Sequence, residues 1–61
     1  MKKYYIGYHN KPWDMDDFTI VCETESVYAA DGILRYYRRE GILKDIYVMY
    51  ERRQLPINAH Y

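Results

Sequence analysis

Between Thr24 and Gly41 the chain reads TESVYAADGILRYYRREG, an amphipathic helix with a start, an apolar stripe and a stop. Thr24 or Ser26 can serve as N-cap, its hydroxyl accepting from an unpaired backbone N–H of the first turn. Glu25 then lies near the positive end of the helix dipole, and Arg38 and Arg39 near the negative end. Gly41 can adopt the left-handed conformation that closes a helix. At about 100° per residue, Val27, Ala30, Ile33, Leu34 and Tyr37 share one side, the core face. Tyr28, Asp31, Gly32, Arg35, Arg38 and Arg39 lie opposite. Asp31 and Arg35 are spaced to pair. Gly32 costs roughly 0.5–1 kcal/mol against Ala in a helix interior. It is either a tolerated accident of the exposed side or a point of close approach by a partner between Tyr28 and Tyr36.

The flanking stretches alternate as strands do. In Lys3–His9, Tyr4, Ile6 and Tyr8 face one way and Tyr5, Gly7 and His9 the other, with the first set expected in the core. Gly7 permits a bulge or lets another group approach closely. Residues Asn10–Asp16 read as a loop, since Asn, Pro and Asp mark turns. The loop carries Trp13, either a lid on the core or an exposed anchor for a partner. In Asp17–Thr24, Phe18, Ile20 and Cys22 share a face against Thr19, Val21 and Glu23. Ile42 and Leu43 are expected to cover the bottom of the core. In Lys44–Arg52, Ile46, Val48 and Tyr50 alternate with Tyr47, Met49 and Glu51. The final stretch, RRQLPINAHY, contains Pro56 and shows no period.

The expected fold is α+β: a ββαβ unit over residues 1–54, followed by a tail over 55–61. The strand after the helix should return to the same sheet by a right-handed crossover and skip over the first strand. That makes a three-stranded antiparallel sheet in the order 2-1-3, with the helix on one face. The other face then shows Tyr5, Val21, Tyr47 and Met49. A patch of that kind suits self-association as a homodimer, or a cover provided by the tail through Leu55, Ile57 and Tyr61.

Composition narrows the function classes. A chain of 61 residues buries only about 60% of its unfolded surface, which makes it a marginal single domain. One cysteine allows no internal disulfide, no stretch reads as a secretory leader, and no apolar run approaches the roughly 20 residues that span a bilayer. The cytoplasm is the expected compartment and a membrane is not an expected partner. Net charge is zero, whereas nucleic-acid affinity comes mainly from neutralising phosphates. Nucleic acid is therefore possible but not favoured, and the alternative function is a small nucleotide or nucleic-acid binding protein that uses a Tyr/Arg surface. Nine tyrosines suit an interface, because Tyr combines large contact area with a polar tip, or serve as the large residues of a small core.

Chemistry-bearing constellations are sparse. Cys22 reads as a small buried hydrophobe. His9, His60 and Cys22 are too scattered for a structural metal. Asp14, Asp16 and Asp17 lack the glycine and distal Glu of a calcium loop. Ser26 has no base partner visible by spacing. The expectation is a non-enzymatic protein with no catalytic residue, metal or cofactor. The one electrostatic feature is an arginine set, Arg35, Arg38 and Arg39 on the helix and Arg52 and Arg53 beyond the third strand, with Tyr28 and Tyr36 beside the helical members.

The run FTIVCETESVYAADGILRYYRREGILKDIYVMYE resembles the strand, helix, Gly, strand layout of very small bacteriophage proteins. The resemblance covers about half the chain and is one of layout. One such group inhibits host RNA polymerase, and anti-CRISPR and other anti-defence proteins are similar in scale. The resemblance implies a protein that binds a host protein or complex and inhibits or modulates it, and it carries no functional residue across. The contact residues are expected from the exposed helix ridge beside Gly32: Tyr28, Gly32, Arg35, Tyr36, Arg38 and Arg39, with Trp13 as a possible anchor.

Overall fold

A computed structural model of the chain describes residues 2–40 and 46–61. The helix stop at Gly41, the cover by Ile42 and Leu43, and the strand start at Lys44 lie outside the described residues. Within them the order is β1 (Tyr4–Lys11), β2 (Asp14–Thr24), α1 (Val27–Glu40), β3 (Tyr47–Glu51), a 3-10 turn (Arg52–Gln54) and β4 (Asn58–His60). The sheet has four strands in the order β3-β1-β2-β4. The first three are antiparallel neighbours around a central β1, as expected. The expected three-stranded antiparallel sheet is corrected by β4, which joins the edge of β2 in parallel and makes the sheet mixed. The segment read as an aperiodic tail is thus part of the sheet. Three residues are too short a strand to display alternation.

The β1–β2 connection is tighter than the predicted loop. Lys11 pairs with Asp14, leaving only Pro12 and Trp13 to turn the chain. Pro presets the first position of such a turn, and the Asp16 N–H donates to Asp14 Oδ1 at 3.2 Å.

Farther along the hairpin, Ile6 pairs with Cys22 but Gly7 pairs with Ile20. Val21 is the extra residue of a β-bulge, and beyond it the alternation of β2 changes phase. Gly7 makes the bulge possible. A Cβ there would lie 1.9 Å from the Thr19 carbonyl oxygen and 3.0 Å from Phe18 Cζ. The position needs the missing side chain for space, because no described glycine has positive φ.

The bulge divides the core between the two faces of the sheet. On the helix side, Ile6, Ala30, Leu34 and Tyr47 are buried, with Tyr4, Tyr8, Ile33, Tyr37 and Met49 packed around them. Tyr37 stacks on Tyr47 at 5.1 Å, and Tyr8 meets Tyr47 edge-on at 5.7 Å. On the far side, Tyr5, Phe18 and Ile20 are buried against Val48, Tyr50, Leu55 and Ala59. Phe18 and Ile20 were expected under the helix, and the extra residue at Val21 puts them on the opposite face. The phase of β3 is also reversed. Tyr47 and Met49 pack toward α1, and Val48 and Tyr50 pack away from it.

His9 closes the end of the far-side core. Its ring lies 5.1 Å from Phe18, and Nε2 is 2.7 Å from the Tyr50 hydroxyl. Nδ1 is 3.3 Å from the Asp17 carbonyl oxygen. A carbonyl only accepts, so the Nδ1–H donates to it.

At the helix start the two candidate caps divide the work. Ser26 Oγ accepts from the Ala29 N–H at 3.3 Å and Thr24 Oγ1 from the Ser26 N–H at 3.4 Å, which makes Ser26 the N-cap. Ala30, Ile33, Leu34 and Tyr37 take the core face as the period required, whereas Val27 is 43% exposed.

Candidate functional site

The expected self-association patch does not exist as one surface. Tyr5 is buried on the far face and Tyr47 under the helix. Met49 packs on the helix side with Tyr47, and Val21 is the bulge residue. The far face is covered by Leu55 and Ala59 of the chain's own C-terminal segment. Two of the residues expected to provide that cover point elsewhere, since Ile57 and Tyr61 are exposed.

The outer face of α1 is where the sequence placed it. Six of the nine tyrosines pack into the two cores, Tyr4, Tyr8, Tyr37 and Tyr47 on one side and Tyr5 and Tyr50 on the other. Tyr28 and Tyr36 do not. They are 88% and 57% exposed, and Gly32 lies between them with nothing within 4 Å of where its Cβ would be. Two helical turns therefore present two aromatic rings around a bare stretch of backbone. Arg35 pairs with Asp31 at 3.1 Å and Arg39 with Glu40 at 3.2 Å. Both pairs are largely exposed, so each contributes little to stability and is readily exchanged for a partner's charge. Arg38 departs from the set. Its Nε donates to the Tyr47 carbonyl oxygen at 3.1 Å, which ties the end of the helix to the start of β3.

The five arginines are not one cluster. Tyr8 pairs with Tyr47 at one end of the sheet and Tyr4 with Glu51 at the other. Arg38 is anchored at the first end, and Arg52 and Arg53 follow the second. At that second end Lys2 and Lys3 join Arg52, Arg53 and Glu51 around a recess of about 260 Å³. In the sequence Lys2 and Lys3 stand out only as part of an acid-free stretch, residues 1–13, and not as neighbours of the arginines. The signal was available, because an antiparallel β1–β3 pair puts the residues before β1 beside those after β3.

Trp13 is 80% exposed at the tip of the β1–β2 hairpin. It is no lid on the core. Met15, two residues on, is exposed as well.

The predicted aspartate run diverges. Asp17 accepts from Asn10 Nδ2 at 3.1 Å and lies 3.1 Å from His60 Nε2, which links β2 to β4. The His60 hydrogen bond, with help from Asn10, holds the Asp17 carboxyl below its usual range. The C-terminal Tyr61 hydroxyl is pushed up, chiefly by hydrogen bonding to Glu23. Among the described residues, no three or more His, Cys, Asp or Glu side chains are grouped to hold a metal ion. Cys22 is a half-buried free thiol. No described helix is long and apolar enough to cross a membrane.

The fold and its outward groups define a small α+β chain, one helix on a mixed four-stranded sheet, with an aromatic and arginine face on the helix. No protein-family model, curated protein or solved structure matches it.

Proposed function

We propose that this chain is a non-enzymatic interaction protein that docks on a protein partner through the outer face of α1. The observation that carries this reading is the exposure of Tyr28 and Tyr36, at 88% and 57%, on either side of the vacant Gly32 position. Exposed aromatic rings with few rotors supply interface area at low entropic cost, and Tyr and Arg are enriched at binding hot spots. The missing side chain at Gly32 lets a partner's side chain reach the helix backbone between the rings. Arg35 and Arg39, on the same face, suit an acidic partner surface. The more specific form of the proposal is a bacteriophage-type protein that inhibits or modulates a host complex, and it is supported by the strand, helix, strand layout alone.

A second reading places the contact at the hairpin tip, and the 80% exposure of Trp13 favours it. Affinity capture from a bacterial lysate separates the two, with the wild type compared against Tyr28→Ala/Tyr36→Ala and Trp13→Ala and folding checked by circular dichroism. Loss of a stoichiometric protein partner in the first variant alone supports the helix face. Loss in the second alone moves the contact to the hairpin. Retention in both, or capture of nucleic acid that is released steeply by salt, overturns the reading.

A further inference from the structure

We propose that the recess at the β3 exit is a binding site for a phosphate group of multiple charge, such as pyrophosphate or the phosphate tail of a nucleotide. It lies away from the helix face and does not depend on it.

Four cations, Lys2, Lys3, Arg52 and Arg53, line a hollow of about 260 Å³ with Glu51. Lys3 also lies 4.0 Å from Glu23, so four cations face two carboxylates, a local excess of positive charge in a chain of zero net charge. Glu51 occupies the place an anion would take. Its carboxylate is 3.1 Å from Arg53 Nε and 3.9 Å from Lys2 Nζ. Those cation side chains are 81% and 71% exposed, whereas Glu51 is 23% exposed, so the two cations are free to swing toward a ligand while the carboxylate stays at the turn. A ligand with two or more charges offers each cation more than one shared carboxylate does.

The frame is held by the fold. β1 and β3 are hydrogen-bonded neighbours, and Tyr4 pairs with Glu51, so Lys2 and Lys3 are delivered beside Arg52 and Arg53 by sheet register. The Glu51 N–H donates to Gln54 Oε1 at 2.9 Å, and the Leu55 N–H donates to the Arg52 carbonyl oxygen at 3.3 Å. These bonds close the turn that carries both arginines.

The chemistry favours phosphate over a lone carboxylate. The guanidinium fork matches phosphate oxygens in bidentate fashion, and a single carboxylate would answer only part of the excess charge. Among the described residues no aromatic side chain lines the recess, so they offer no platform on which to stack a base. Recognition therefore rests on the phosphates.

The probe is inorganic pyrophosphate, titrated into the full-length protein and followed by amide chemical shifts. Shifts are expected at residues 2, 3 and 51–53. Arg52→Ala/Arg53→Ala should weaken binding by about tenfold or more, since hydrogen bonds to charged groups are strong. Arg35→Ala/Arg39→Ala on the helix should leave it unchanged. Glu51→Gln removes the competing carboxylate and should tighten binding. Equal affinity for pyrophosphate and a nucleoside diphosphate makes the inorganic group the determinant. A tighter nucleotide makes a nucleotide the source, and both results uphold the site. No shift at the recess, equal weakening by the helix variant, weaker binding by folded Glu51→Gln, or equal displacement by an oligoglutamate peptide overturns the proposal.

Discussion

A methyl group on Gly7 would sit 1.9 Å from a backbone oxygen that has no room to withdraw without breaking the β1–β2 ladder. Gly7→Ala is therefore expected to destabilise the protein by about 1–3 kcal/mol or more, a large share of what a domain this small can hold. Urea denaturation checks it, and a loss below about 0.5 kcal/mol would mean that the strand relaxes freely around the site. The sequence did show that something approaches Gly7. It did not show that the partner strand bulges at Val21, because Phe18, Ile20 and Cys22 alternate without a break in the sequence and one extra residue in the pairing leaves that pattern unchanged. Asp17 carries a second expectation at this scale. Its folded-state pKa is below 3.8, so the folded state releases the proton more readily than the unfolded one. The contribution is fully present above 3.8 and is lost as pH falls through the folded value. The wild type should lose stability more steeply than His60→Ala across that acid range, and parallel acid denaturation curves would contradict the Asp17–His60 link.

The helix was the most legible element, because only one of its faces is buried. A period of 3.6 then separates Ala30, Ile33, Leu34 and Tyr37 from Tyr28, Gly32, Arg35 and Tyr36 without ambiguity. The candidate site on its outer face was legible for the same reason. The strands were legible as strands but not in phase. In β3 both Val48 and Tyr50 and their alternates Tyr47 and Met49 are apolar, because the sheet packs on both faces, and alternation without contrast assigns no side. Arg38 is exposed as its place in the period required, and its long side chain also reaches back to the Tyr47 carbonyl beyond the helix end, a contact that helical spacing does not display. Gly32→Ala belongs to this scale. With open space at the Cβ position, the variant should gain about 0.5–1 kcal/mol. If it also loses the captured partner while gaining stability, the glycine is kept for contact. A destabilised variant would contradict the open geometry.

A chain of 61 residues that covers only one sheet face leaves much apolar surface in water, which is why the sequence suggested a dimer. The molecule turns its last residues back. The 3-10 turn redirects the chain, Leu55 and Ala59 pack on Tyr5, Phe18 and Ile20, and β4 pairs with the outer edge of β2. The cover also protects an edge that would otherwise offer unpaired backbone groups. This part was illegible because two contacts and a three-residue strand around Pro56 carry no pattern. The readings of the helix face and of the basic recess both take the far sheet face as closed from within. The direct measurement is chemical denaturation of Leu55→Asp beside Ile57→Asp. Leu55 is half-buried against the far-side core, and Ile57 is 84% exposed. Leu55→Asp should cost about 1–3 kcal/mol and Ile57→Asp under about 0.5 kcal/mol. Equal losses, or the larger loss at Ile57, would show that the C-terminal segment does not cover the sheet in this way.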